Sequence, residues 1–83
     1  MNLEPIMRET VEMIVRALAS DADAVDVREI ERDERTVVIE VRVAEADMGK
    51  VIGRQGKTVR AIRSLLHAVS LQRDRRYILD IVE

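Results

Sequence analysis

Val51-Ile52-Gly53-Arg54-Gln55-Gly56-Lys57-Thr58-Val59-Arg60-Ala61-Ile62-Arg63 is the stretch that organises this 83-residue chain. Two of the three glycines stand here, three residues apart, between an apolar pair and a helical pattern with a cation at Lys57, Arg60 and Arg63. Glycine serves where backbone must turn left-handed or come close to another body. Cations in the same place indicate that the body is anionic.

Two phosphate-loop patterns come near this stretch and fail by spacing. Gly56-Lys57-Thr58 matches the end of Gly-x-x-x-x-Gly-Lys-Ser/Thr, but the required first glycine is Val51. A dinucleotide fingerprint, Gly-x-Gly-x-x-Gly, fails because Gly49 lies one residue too far from Gly53, in a chain with no βαβ unit. What remains is Gly-x-x-Gly between two helices. Arg54 and Gln55 at its tip offer a charge and an amide to phosphate or sugar oxygens, and the amides opening the next helix are expected to point outward with its positive dipole end. A plain helix-helix turn also uses glycines, yet it gives no reason for the cations that follow.

Outward from this centre, Ala44 to Ile52 reads as a short helix, with Glu45 and Asp47 near its positive end and Lys50 near its negative end. Gly53 is its stop and Gly56 opens a second helix running to about Leu71, buried through Val59, Ile62, Leu66 and Val69 with Leu65 beside them. Upstream, Thr36 to Val43 is the clearest strand, with Val37, Ile39, Val41 and Val43 on one face. Val25 and Val27 begin a partner strand, and the phase slip at Ile30 suggests a bulge or the strand end. Pro5 suits a first helical turn, and Met7, Val11, Ile14 and Leu18 form an apolar stripe ending near Ala19. Tyr77 to Val82 closes the chain as a strand. The order α-β-β-α-α-β predicts an α+β, two-layer sandwich: a three-stranded sheet with three helices on one face.

Composition narrows the chemistry. The length allows one domain, residues 1–83, and 47% hydrophobic residues spread along it favour a folded core over disorder. No cysteine and one histidine exclude disulfides, thiolate nucleophiles and a zinc site, so no metal or cofactor is expected. The start of the chain lacks a signal-peptide pattern and no apolar run approaches membrane-spanning length, so a cytoplasmic protein without a membrane partner is expected. His67 has no evident Ser, Cys or Asp partner, which leaves no catalytic residues and no small-molecule substrate to assign. The net charge of −2 hides a division. Residues 1–47 carry 13 acidic and 6 basic side chains, a net −7, whereas residues 48–76 carry 8 basic and 1 acidic, a net +7. Local charge argues for a polyanion.

With those residues in view, Val51-Ile52-Gly53-Arg54-Gln55-Gly56-Lys57 resembles the I-G-x-x-G signature of KH domains, whose loop clamps about four nucleotides of a single strand. The element order is similar to the type II topology of that family, with a mixed sheet, and the resemblance spans the whole chain. Ala46-Asp47-Met48-Gly49-Lys50-Val51-Ile52-Gly53 and the stand-alone length are closest to small bacterial KhpA-like members. That resemblance implies single-stranded RNA as partner, a role as RNA chaperone or post-transcriptional regulator, and a homodimer or a heterodimer with a larger KH protein.

The implied RNA-binding set is Lys50, Ile52, Gly53, Arg54, Gln55, Gly56, Lys57, Val59, Arg60 and Arg63. Tyr77, the only aromatic residue, is expected to pack, so bases would lie on an aliphatic groove made by Ile52, Val59 and outlying residues of the Thr36 to Val43 strand. Low base specificity follows. Leu65, Leu71, Ile78 and Val82 exceed what a small core needs, so an interaction module in which RNA is secondary is the competing expectation. Arg73-Asp74-Arg75-Arg76 either extends the nucleic-acid surface or is a solvated connection.

Overall fold

A computed structural model describes residues 4–82, and the side chains of residues 7–82. The expectations for the N-terminal segment before Glu4 lie outside the described residues. Three α-helices, α1 (Glu4–Leu18), α2 (Met48–Ile52) and α3 (Lys57–Arg73), pack on strands β1 (Asp26–Glu31), β2 (Thr36–Arg42) and β3 (Arg76–Val82). The sheet order is β1-β2-β3, with β1 antiparallel and β3 parallel to β2.

The period-2 pattern of β2 decides the sheet. Val27 pairs with Val41, Val37 with Tyr77 and Ile39 with Leu79, and these side chains share the face covered by helices. Val11 and Val15 of α1, Val51 of α2 and Val59, Ile62 and Leu66 of α3 complete one core. Leu66 has no solvent exposure, so truncating it to Ala costs about 2–5 kcal/mol. Asp33 turns the β1–β2 hairpin: its carboxylate accepts from the Arg35 and Thr36 amides at 2.8 and 2.9 Å. Those bonds, the one from Arg35 foremost, lower its pKa.

Four details depart from the sequence reading. Ile30 causes no bulge: it pairs with Val38 in unbroken register, and β1 ends one residue later, at Glu31. It simply belongs to the sheet face without helices. In α1 the buried row is Met7, Val11 and Val15, while Ile14 is half-buried and Leu18 exposed. A helix crossing a twisted sheet buries i, i+4, i+8 as readily as i, i+4, i+7, and Val15 takes the place assigned to Leu18. The segment before the loop is a 3-10 turn, Glu45–Asp47, leading into five residues of α-helix. In α3, which runs two residues beyond Leu71, Leu65 is 42% exposed.

Asp47 explains the third departure. The residue is only 2% exposed, and its side chain makes no capping bond to its own helix. Instead its two oxygens accept from the Ser20 and Asp21 amides at 3.0 and 2.9 Å, tying α2 to the end of α1. The Asp21 and Ser20 amides hold the Asp47 pKa down, with help from Lys50. A residue expected to serve a helix dipole has become a tertiary link.

Candidate nucleic-acid interface

The Gly-x-x-Gly turn is built from three positive-φ residues. Gly53 stops α2 at φ 79°, ψ 166°, an extended positive-φ conformation, not the left-handed helical one expected of a helix stop. A Cβ at Gly53 would lie 2.3 Å from Thr58 Oγ1 and 2.8 Å from the Thr58 amide nitrogen, so conformation and space both require glycine. Gln55 (φ 56°, ψ 26°) and Gly56 (φ 75°, ψ 15°) then adopt left-handed conformations. At Gly56 no steric demand exists, since the nearest atom to an added Cβ is 3.9 Å away. Only the dihedral selects it.

That geometry revises the role of the backbone. The Gly56 amide donates to the Gly53 carbonyl at 3.0 Å and the Lys57 amide to the Arg54 carbonyl. Two of the amides expected to face a ligand are thus used inside the turn, and the side chains at its exposed tip, Arg54, Gln55 and Lys57, carry the outward chemistry.

Two sets of cations contrast here, apart from Arg32 and Arg35 at the hairpin turn, which are exposed and make no ion pair among the described residues. Arg8 and Arg16 pair with Glu12 at 2.9 and 3.2 Å, Arg28 with Asp26 at 2.7 Å, and Arg42 with Glu40 at 3.5 Å. Arg54, Lys57, Arg60 and Arg63 are exposed and make no ion pair among the described residues. Lys50, expected with them, belongs to the first set: its ammonium donates to Ser20 Oγ and lies 3.7 Å from Asp47 Oδ1. It helps hold α2 and has less to offer a ligand.

Of the two apolar residues placed in the groove, Ile52 is exposed beside the loop, whereas Val59 is 8% exposed and packs in the core. The β2 strand is also removed from the groove. It is central, and Val37, Val38, Ile39 and Val41 are buried. The exposed strand beside α3 is the edge strand β3, and between them lies a cleft of about 510 Å³ reached by Arg63, His67 and Leu71 from α3 and by Arg76, Tyr77 and Ile78 from β3. Ser70 sets its end by donating to the Leu66 carbonyl at 2.9 Å and accepting from the Tyr77 amide at 3.0 Å. As expected, Tyr77 packs inward, 6% exposed.

Sequence reasoning missed this cleft, though one signal was present. Arg60, Arg63 and His67 recur at i, i+3 and i+7, a single helix flank leading away from the loop. No group of three His, Cys, Asp or Glu capable of holding a metal occurs among the described residues, and no described helix is long and apolar enough to cross a membrane.

Comparison with known proteins follows the same outline. The family model described as KhpA/KhpB, KH domain, matches residues 8–81. The chain is 45% identical to RNA-binding protein KhpA of Caldanaerobacter subterraneus subsp. tengcongensis over 76 residues, covering 92% of this chain and all of that one. It is 44% identical to RNA-binding protein KhpA of Aquifex aeolicus over 77 residues, covering 93% and 96%. Among solved structures it is similar to Era in complex with MgGDPNP and nucleotides 1506–1542 of 16S ribosomal RNA, at TM-score 0.59 and 20% identity. That match covers 98% of this chain and 30% of the Era chain, so the likeness concerns one fold unit within a longer protein.

Proposed function

This chain belongs to the KhpA/KhpB KH-domain family, and from that premise we propose that it binds single-stranded RNA through the Gly53–Gly56 turn with little base specificity. It acts in the cytoplasm as an RNA chaperone or post-transcriptional regulator. The observation that carries this reading is the exposed, unpaired set Arg54, Lys57, Arg60 and Arg63, continuous with a turn that glycine alone can form. RNA-binding relatives at 45% and 44% identity support it. Arg54, Gln55 and Lys57 grip phosphate and sugar oxygens, Arg60 and Arg63 continue the track along α3, and Ile52 gives apolar contact near the loop. Because no aromatic platform is exposed, each base adds little, and affinity is modest and dominated by the backbone.

Titration of short single-stranded RNA over a range of salt tests this. Contact with about three to four phosphates gives a log–log slope of roughly −2 to −3. Binding with no salt dependence overturns the reading.

Self-association is the second reading, favoured by one observation. On α3, Ala61, Leu65, Ala68 and Gln72 form an exposed flank without charge, on the side away from Arg63 and His67. The four apolar residues singled out from the sequence do not make one patch, since Leu71 and Ile78 reach the cleft while Leu65 lies on this other flank. A homodimer, or a heterodimer with another KH protein, would use the Leu65 flank and leave the cationic one open. Two weak clamps in one dimer would then gain avidity. Light scattering that finds a monomer with and without RNA removes this reading.

A further inference from the structure

Gln55 is the strained residue of the turn. Among the described residues only it and Asp74 hold a positive φ without being glycine. Aspartate visits the left-handed region readily because its short side chain can hydrogen-bond locally, and glutamine does not share that ease. Gln55 is nonetheless fixed at φ 56°, ψ 26° by the bonds around it, from the Gly56 amide to the Gly53 carbonyl at 3.0 Å and from the Lys57 amide to the Arg54 carbonyl. Glycine, which stands on both sides at 53 and 56, would take this dihedral without strain. The fold gains nothing visible in return: the Gln55 side chain is exposed and makes no hydrogen bond among the described residues. Strain kept at such a position points to a contact outside the fold.

What Gln55 offers differs from what its neighbours offer. Arg54, Lys57, Arg60 and Arg63 can only donate. Charged donors make their strong hydrogen bonds to phosphate, and RNA and DNA present phosphate oxygens alike. The 2′-hydroxyl belongs to RNA alone, and its proton is recognised by a group that accepts. From Ile52 to Arg63 only Gln55 and Thr58 carry a side-chain acceptor, and Thr58 is half-buried with its Oγ1 packed against Gly53. Gln55 Oε1 is therefore the exposed side-chain acceptor of the clamp, with an amide NH₂ beside it that is free to donate to the backbone at the same time.

We infer that Gln55 selects RNA over single-stranded DNA, its Oε1 accepting a hydrogen bond from the 2′-hydroxyl of a nucleotide whose phosphate Arg54 and Lys57 hold. The cations supply affinity that ignores the sugar, and the one neutral polar side chain at the tip reads it. This inference rests on the RNA reading above, which gives the turn a sugar-phosphate backbone without distinguishing the sugar.

Fluorescence anisotropy with labelled nine-nucleotide oligouridylate, oligodeoxyuridylate and 2′-fluoro oligouridylate tests the choice. The fluoro sugar keeps a ribose-like pucker but has no proton to donate. The wild-type protein is expected to bind the RNA about fivefold tighter than the DNA, as one neutral hydrogen bond provides, and the fluoro oligomer no tighter than the DNA. Gln55→Gly, at a dihedral that glycine adopts freely, and Gln55→Leu, which keeps the bulk, are each expected to bring the RNA-to-DNA ratio to about one by weakening RNA alone. Ser64→Ala removes the next exposed hydroxyl along α3 and is expected to leave the ratio at its wild-type value. The ratio is the readout because a merely loosened loop weakens both oligomers alike. Wild-type affinity for RNA no greater than for DNA, a fluoro oligomer bound as tightly as RNA, Gln55 variants that keep the ratio, or a ratio lost in Ser64→Ala overturns the assignment and leaves the loop reading intact. Failure of the wild-type protein to bind any of the three oligomers overturns both.

Discussion

The acidic half of this molecule and its basic stretch carry arginines in similar numbers and use them in opposite ways. In α1 and the β1 and β2 strands, Arg8, Arg16, Arg28 and Arg42 each lie against a carboxylate, and only Arg32 and Arg35, at the hairpin turn beside Asp33 and Glu34, make no ion pair among the described residues of that half. From Arg54 to Arg63 the cations are exposed and unpaired among the described residues, although the acidic half has carboxylates in excess. Exposed pairs add only about 0–1 kcal/mol each, so pairing in the first region chiefly neutralises its surface. The absence of pairing in the second keeps a positive field for a polyanion. Charge content alone does not make a binding surface; charge left uncompensated does.

The most damaging way to break this contrast is to remove the turn that presents the unpaired cations. Gly53→Ala places a Cβ against Thr58 and forbids the native dihedral, and is expected to cost about 3 kcal/mol in urea unfolding together with RNA binding. Adding Thr58→Ala should restore only part, because the Thr58 amide nitrogen still lies 2.8 Å from the new atom. Complete restoration would mean that the side chain alone selects the glycine.

Next in size is reversal of charge at the tip. Arg54→Asp with Gln55→Asp is expected to lower RNA affinity about 100-fold, which is about 2.7 kcal/mol, while the circular-dichroism melt stays put because both residues are exposed. An unchanged melt with unchanged affinity would break the assignment of the turn. Arg60→Glu or Arg63→Glu, on the flank of α3, should cost about tenfold each.

Asp47 sharpens the contrast from the other side, because here a cation of the basic stretch is paired. The Asp47 pKa is held below its ordinary value of 3.8, chiefly by the Asp21 and Ser20 amides. Its stabilisation is therefore complete above the unfolded value and is lost as pH falls through the lower folded one. Asp47→Asn should lower the melting temperature at neutral pH and flatten the part of the acid-induced fall that occurs below about pH 4. RNA affinity at neutral pH should change little, since the link lies behind the loop. An unaltered acid profile would show that the link does not stabilise the fold. The smallest effects belong to the paired arginines: Arg16→Ala and Arg28→Ala should each leave RNA affinity within about twofold, and a larger loss would erase the distinction between the two sets.

How far the site could be read from the sequence follows the range of each interaction. The turn was legible because it is local: Gly53 is fixed by its dihedral and by Thr58, five residues on, and Gly56 by its dihedral alone. Lys57, Arg60 and Arg63 were legible because helical period sets which way they face, and Arg54 because it sits at the tip of a tight turn. The engagement of Lys50 was not legible because its partners, Ser20 and Asp47, include one 30 residues away. The burial of the strand expected to wall the groove was not legible because the sequence shows that Thr36 to Val43 is a strand but not that it is central, with β3 taking the edge beside α3.

The sequence by itself determined the order of elements, the α+β class, the one-sided helix layer and the Gly-x-x-Gly turn, since all depend on period, dihedral preference and charge within a few residues. Tertiary structure alone decided which apolar residues became core, which cations were neutralised and where the cleft between α3 and β3 opened. Those outcomes depend on what lies across the fold from each side chain. A basic residue becomes a binding residue only when folding leaves no carboxylate beside it.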